Sequence, residues 1–135
     1  MNVEICRWKG GCTFAYSITY DEGFEDLLAH AVPVHRRYDI PGHLVVVAGQ
    51  LGQVRRAPSS TYDGLYRHLS GPQLRELMQE GWSVGDHSLT HGDLNEDPYG
   101  EVVTSKRLLE EAIGQPVNLF HLPGADFSYA PAARY

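Results

Sequence analysis

The run His43-Leu44-Val45-Val46-Val47-Ala48 limits what this chain can fold into more than any other stretch. Side chains of a strand point alternately to its two faces, so an apolar run with no polar alternation needs cover on both. A parallel sheet with its faces covered supplies that environment. Pro41-Gly42 just before the run marks a turn.

The flanking segments complete the pattern. Phe14-Ala15-Tyr16-Ser17-Ile18-Thr19-Tyr20 is aromatic and β-branched, which predicts a strand ending at Asp21-Glu22-Gly23. Leu27, Leu28, Ala31 and Val34 predict a helix from about Phe24 to Tyr38 that Pro33 kinks or divides. Residues 49–70 are polar and predict a long loop, a kind that is usually functional or mobile. Ser70-Gly71-Pro72 opens a helix with the stripe Leu74, Leu77 and Met78, and Gly81 stops it. Trp82 to Asp86 reads as the third strand. A helix from about Tyr99 to Ile113 is expected to bury Val102, Val103, Leu108, Leu109 and Ala112 before Gly114 ends it. Pro116 to Phe120 is the fourth strand, closing at His121-Leu122-Pro123-Gly124. Residues 1–12 form a lead-in, and Tyr129 to Tyr135 looks like the start of another helix. Alternating strands and helices predict right-handed βαβ units around a parallel sheet, in a single domain over residues 1–135.

Composition excludes several functions. A net charge of −6 with dispersed basic residues argues against a nucleic-acid-binding surface. The apolar run is far too short for a membrane span. The N-terminus lacks the apolar core of a secretory signal, so a cytoplasmic location is expected; a signal already removed upstream would leave the same sequence. Cys6 and Cys12 have no metal-ligand spacing and are expected as reduced thiols.

Chemistry gathers where the strands end. His87 and His91 follow the third strand four residues apart, and one helical turn there would aim both rings to the same side. Such a pair can meet on one metal ion, although two solvated loop histidines would show the same spacing. Asp21 and Glu22 end the first strand and His121 the fourth. In βα folds the reacting groups collect at this carboxyl edge. Ser88 has no nucleophile elbow around it. His43 opens its strand at the opposite end and reads as a packing or surface residue. His30, His35 and His68 read as solvated, and Glu25 and Asp26 as complements of a helix dipole.

These residues carry a family resemblance over roughly residues 16–130. Thr19-Tyr20-Asp21-Glu22-Gly23 resembles the motif Thr-Phe-Asp-Asp-Gly of the polysaccharide deacetylases, the NodB-type homology domain of carbohydrate esterase family four. His87-Ser88-Leu89-Thr90-His91 meets that family's His-Ser/Thr-x-x-His motif in full. Leu74-Arg75-Glu76-Leu77 through Glu80-Gly81-Trp82 is similar to the helix and turn that precede it. His121-Leu122-Pro123-Gly124 corresponds to a third motif, with histidine in place of its arginine. The resemblance implies an α/β fold, a distorted TIM-like (β/α) barrel of the glycoside hydrolase and deacetylase type, with the first four or so units present. It implies a metal-dependent hydrolase that removes N-acetyl or O-acetyl groups from carbohydrates, acting on carbon–nitrogen but not peptide bonds. Asp21 would be the catalytic base, His121 would orient it, and Glu22, His87 and His91 would hold a divalent metal, zinc foremost. Asp21 and Glu22 can also exchange roles. The implied partner is an N-acetylated carbohydrate, and Tyr62, Tyr66 and Tyr99 either line a sugar cleft or are ordinary core and surface tyrosines.

The sequence departs from the family at three places. Glu22 stands where a second aspartate is usual, His121 replaces an arginine, and the later motifs, with the histidine that serves as general acid, have no counterpart before Tyr135. A truncated domain is therefore expected. An alternative reading follows, in which the chain is a catalytically impaired remnant that binds metal or sugar. A third has two chains pair their open sheet edges as a homo-oligomer.

Overall fold

The computed structural model describes residues 7–56 and 64–124. Cys6, Tyr62 and the segment Tyr129 to Tyr135 lie outside the described residues. Cys12 is an exposed free thiol.

A three-stranded parallel sheet carries the fold: β1 (Thr19–Tyr20), β2 (His43–Val46) and β5 (Ser83–Asp86), in the order β1-β2-β5. A bridge from Asp86 to Phe120 adds the next segment beside β5, again in parallel. The neighbours thus follow chain order. A doubly wound sheet reverses its order at a switch point, whereas a barrel does not. The α/β fold is accordingly that of a (β/α) barrel over its first units, as the family resemblance implies.

Helices cover one face of β2. The helix after β1 is divided into α1 (Leu27–His30) and α2 (Val32–Tyr38), with Pro33 in the first turn of the second piece. Proline fits there because its missing N–H would have had no intrahelical partner. The helix α3 (Gly71–Gln79) follows Ser70, whose N–H donates to Gln73 Oε1 at 2.8 Å. The last helix has a wide π-turn over Gly100–Thr104 and continues as α4 (Ser105–Ile113) until Gly114 turns left-handed at φ 73°. Leu44 and Val46 pack outward against Leu27, Val32, Leu74, Leu77, Leu109 and Ile113. His43, Val45 and Val47 are also buried and alternate to the inner face. Both faces of β2 are covered, which is what its composition demands.

Several expectations are corrected. β1 is only Thr19–Tyr20, and Phe14 and Tyr16 are exposed at 72% and 67%. The register pairs Thr19 with His43, so Pro41-Gly42 leaves the residues before Ile18 no strand to join. The expected loop over 49–70 contains an antiparallel ribbon, β3 (Val54–Arg56) with β4 (Leu65–Arg67). Pro116 to Phe120 contributes only the single bridge at Phe120. Leu108 is exposed, while Leu109 and Ile113 fill the core. His35 and His68 are buried, not solvated. Tyr20 Oη donates to His35 Nε2 (2.8 Å), and His35 Nδ1 donates to the Ile40 carbonyl (2.7 Å). Glu25 does not serve a helix dipole; it accepts from Gln73 Nε2 at 2.7 Å and lies 3.5 Å from Arg67. Among the described residues, no helix is long and apolar enough to cross a membrane.

Candidate metal centre

The turn after β1 presents Glu22. Gly23 sits at φ 75°, and a Cβ there would approach Val46 Cγ1 to 2.7 Å, so only glycine lets the turn close over β2. Glu22 itself is left-handed at φ 68°, a conformation that costs a non-glycine residue about 1–2 kcal/mol. The ribbon offsets that cost. His68 Nδ1 donates to the Glu22 carbonyl (3.1 Å), Leu69 N–H to the Gly23 carbonyl (2.8 Å), and Glu25 N–H to the Arg67 carbonyl (2.8 Å).

The two histidines come from the loop after β5, and it is not the helical turn expected from their spacing. Ser88 and His91 are both left-handed, at φ 71° and 62°, and fold residues 87–91 into a bend. The loop stays tied to the β2 side. His87 N–H donates to Val46, Ala48 N–H to Ser88 and Gly49 N–H to Leu89, all to carbonyls at 2.9–3.0 Å. Within the bend, Ser88 Oγ accepts from His91 N–H at 3.0 Å. The imidazoles end with ring centroids 4.9 Å apart.

Glu22, His87 and His91 thereby converge, each offering a ligand atom within 4.8 Å of the others. Glu22 Oε1 lies 3.0 Å from His91 Nε2, and Glu22 Oε2 is buried with no hydrogen-bond partner. Burial alone would push the Glu22 carboxyl up, but the hydrogen bond and charge of His91, with His87 and His68 nearby, hold it below its usual value. Its hydrogen bond to Glu22 in turn raises His91 against the effect of burial. Two imidazole nitrogens and a carboxylate with an unmet oxygen fit a divalent ion, and this donor set suits zinc.

Asp21 is exposed beside Glu22 and lines, with Thr19, Phe24 and His30, a cavity of about 550 Å³. His121 is half-buried; its ring lies 5.5 Å from that of His43. His43, expected at the wrong end of its strand, instead reaches along the inner face. Its Nδ1 is hydrogen-bonded to Ser83 Oγ (2.7 Å), and its Nε2 is buried without a partner. Tyr66 packs on Phe24 with centroids 5.0 Å apart, and Tyr99 is exposed.

Four residues around the site have no role in the sequence reading: His68, which reads there as solvated, and Asp86, Glu101 and Ser105. All are buried. Asp86 Oδ1 accepts from Ser105 Oγ at 2.5 Å, and burial pushes the Asp86 carboxyl up to about 6 although the Ser105 bond opposes this. A usable signal existed for two of them. Glu101 and Ser105 fall in phase with Leu109 and Ile113, polar residues on a stripe that is otherwise core.

Comparison with known proteins bears on the family and the fold. YxkH of Bacillus subtilis (strain 168), which carries the name of a polysaccharide deacetylase, is 27% identical over 122 residues, covering 87% of this chain and 37% of YxkH. The Streptococcus pyogenes deacetylase PplD, solved in complex with acetate, superposes with a TM-score of 0.69 at 24% identity, over 87% of this chain and 51% of PplD. A de-N-acetylase from Aggregatibacter actinomycetemcomitans gives 0.71 at 14% identity, over 97% and 67%. The chain thus spans little more than a third of YxkH and about half of PplD. These structures share the fold, and the polysaccharide deacetylase model matches residues 12–133, nearly the whole chain. On that match, this chain belongs to the polysaccharide deacetylase family.

Proposed function

We propose that the chain is a metal-dependent hydrolase that removes an acetyl group from an N-acetylated, or O-acetylated, carbohydrate, cleaving a carbon–nitrogen bond outside peptides in the former case. The convergence of Glu22, His87 and His91 from two strand ends carries this reading, together with the unmet Glu22 Oε2. Family membership supports the substrate class. Glu22, His87 and His91 would hold a divalent ion, zinc foremost. Such an ion supplies Lewis acidity, polarising an acetyl carbonyl and lowering the pKa of an attacking water.

The protein's own groups do the rest. Asp21 is open to solvent and neighbours Glu22, so its carboxylate can take the proton of the water as it attacks the carbonyl carbon and return that proton to the leaving nitrogen or oxygen as its bond to that carbon breaks. The cavity against Asp21 lies within the size range of small-molecule sites and would seat part of a sugar. His121, on the inner face with His43, would supply the polar surroundings of the base in place of the family's arginine.

Acetate release from N-acetylated chitooligosaccharides by the zinc-loaded protein tests this reading. Turnover that Asp21→Asn lowers by about 10²–10⁴ is the expected result. Zinc binding with no turnover on any acetylated sugar or simple acetamide would overturn it and leave a binding module.

A further inference from the structure

The helix that follows the histidine loop holds that loop at two points, and nothing in the proposed chemistry uses those contacts. Glu101 is a buried carboxylate on the π-turn, and its hydrogen bonds go to the loop. Leu89 N–H and Thr90 N–H both donate to its Oε2 at 3.0 Å, and Thr90 Oγ1 donates to its Oε1 at 2.5 Å. One turn later Ser105, fully buried, donates to Asp86 Oδ1 at 2.5 Å. Asp86 immediately precedes His87, and Thr90 immediately precedes His91. Each imidazole is therefore one residue away from a contact with this helix.

The loop needs such a hold. With Ser88 and His91 left-handed, its backbone is not one these residues would select unaided. Its Leu89 and Thr90 N–H groups meet no carbonyl of the sheet and find their acceptor in Glu101 instead. The start of the helix is shaped for the contact. Gly100 N–H donates to Asp97 Oδ1 at 2.9 Å, and any Cβ at Gly100 would strike the Asp97 carboxylate. The i→i+5 turn that begins there is the kind of local widening found where a helix must aim a residue at a site.

We propose that Glu101 and Ser105 are positioning residues that set the spacing of His87 and His91 by clamping the residue before each. This rests on the metal reading above for its purpose, but the clamp is a property of the loop and exists without an ion. Outer-shell groups that orient ligands are worth about 10- to 100-fold in metal affinity. Glutamine at position 101 is the informative replacement. Its carbonyl can accept both backbone N–H groups and its amide can donate to Thr90 Oγ1, so all three contacts survive without the charge.

The test compares the parent with Glu101→Ala, Glu101→Gln, Ser105→Ala and Thr90→Val. Three quantities are read: amide exchange at Leu89 and Thr90 in the metal-free protein, zinc affinity by chelator competition, and the visible spectrum with cobalt. The clamp predicts that Glu101→Ala speeds exchange at Leu89 and Thr90 while Val45 in β2 stays protected. It also predicts a loss of about tenfold or more in zinc affinity and an altered cobalt spectrum, with Glu101→Gln close to the parent. If Glu101→Ala does not fold, Thr90→Val, on the exposed side of the same contact, carries the test with a smaller loss. Parent-like exchange and affinity in the alanine variant, or in Thr90→Val, would overturn the clamp. A parent that binds no zinc would defeat the metal reading instead, and exchange at Leu89 and Thr90 would still decide the clamp.

Discussion

His87 Nδ1 donates to the backbone carbonyl of His121 at 3.0 Å. A carbonyl can only accept, so the proton sits on Nδ1 and Nε2 is left with its lone pair free. The segment after α4 thus fixes the tautomer that a metal ligand needs, through the main chain of His121, whose ring lies against His43. Long-range proton–nitrogen correlation spectra of the metal-free protein at mildly alkaline pH are expected to show His87 as the Nδ1–H tautomer. An Nε2–H tautomer would contradict the contact.

Asp21→Asn separates chemistry from binding. Asparagine keeps the shape of the side chain and loses the base, and general-base catalysis contributes about 10²–10⁴ in rate. Turnover is expected to fall by about that factor with zinc stoichiometry unchanged, because Asp21 lies outside the converging group Glu22, His87 and His91. Equal loss of binding and turnover would place Asp21 among the ligands and exchange its role with Glu22.

Gly23→Ala tests how tightly the carboxylate turn is built. The new methyl would have to occupy a left-handed conformation and meet Val46 Cγ1 at 2.7 Å. The conformational and packing costs together predict a loss of about 3 kcal/mol in urea unfolding. A change under about 0.5 kcal/mol, the range of an ordinary surface substitution, would show that the turn opens freely.

His43 gives a pH signature. Burial first, and the neighbouring His121 second, hold its pKa below the usual 6.5, with Asp21 opposing. The unfolded chain therefore takes up this proton at a higher pH than the folded one. The His43 contribution to stability is full above 6.5 and is lost as pH falls below it, because the unfolded state then binds more protons. His43→Gln carries no such proton. The stability of the parent minus that of the variant is expected to fall on acidification from about pH 7 to about pH 5. A difference that rises over this range would contradict the placement of His43.

The parts of the fold legible in the sequence are those where burial leaves a pattern. The run from His43 to Ala48 declares a strand covered on both faces, and Leu74 and Leu77 declare the inner stripe of α3. Strand ends follow from those patterns, which is why Asp21, Glu22, His87 and His91 could be placed at one edge. The loop conformation was not legible. The i, i+4 spacing of His87 and His91 suggests a helical turn, but Ser88 and His91 adopt left-handed backbone without being glycine and the chain does not make that turn. The β3–β4 ribbon is short and polar and reads as loop. Glu101 shares a helical phase with Leu109 and Ile113, but its partners, the N–H groups of Leu89 and Thr90, leave no trace in the sequence.

The most direct test of the central claim is zinc stoichiometry on the purified chain, beside the double variant His87→Ala/His91→Ala. One equivalent in the parent and none in the variant is the predicted result, with both proteins folded by circular dichroism. No zinc in the folded parent, or an equivalent retained by the variant, would contradict a metal centre built from Glu22, His87 and His91.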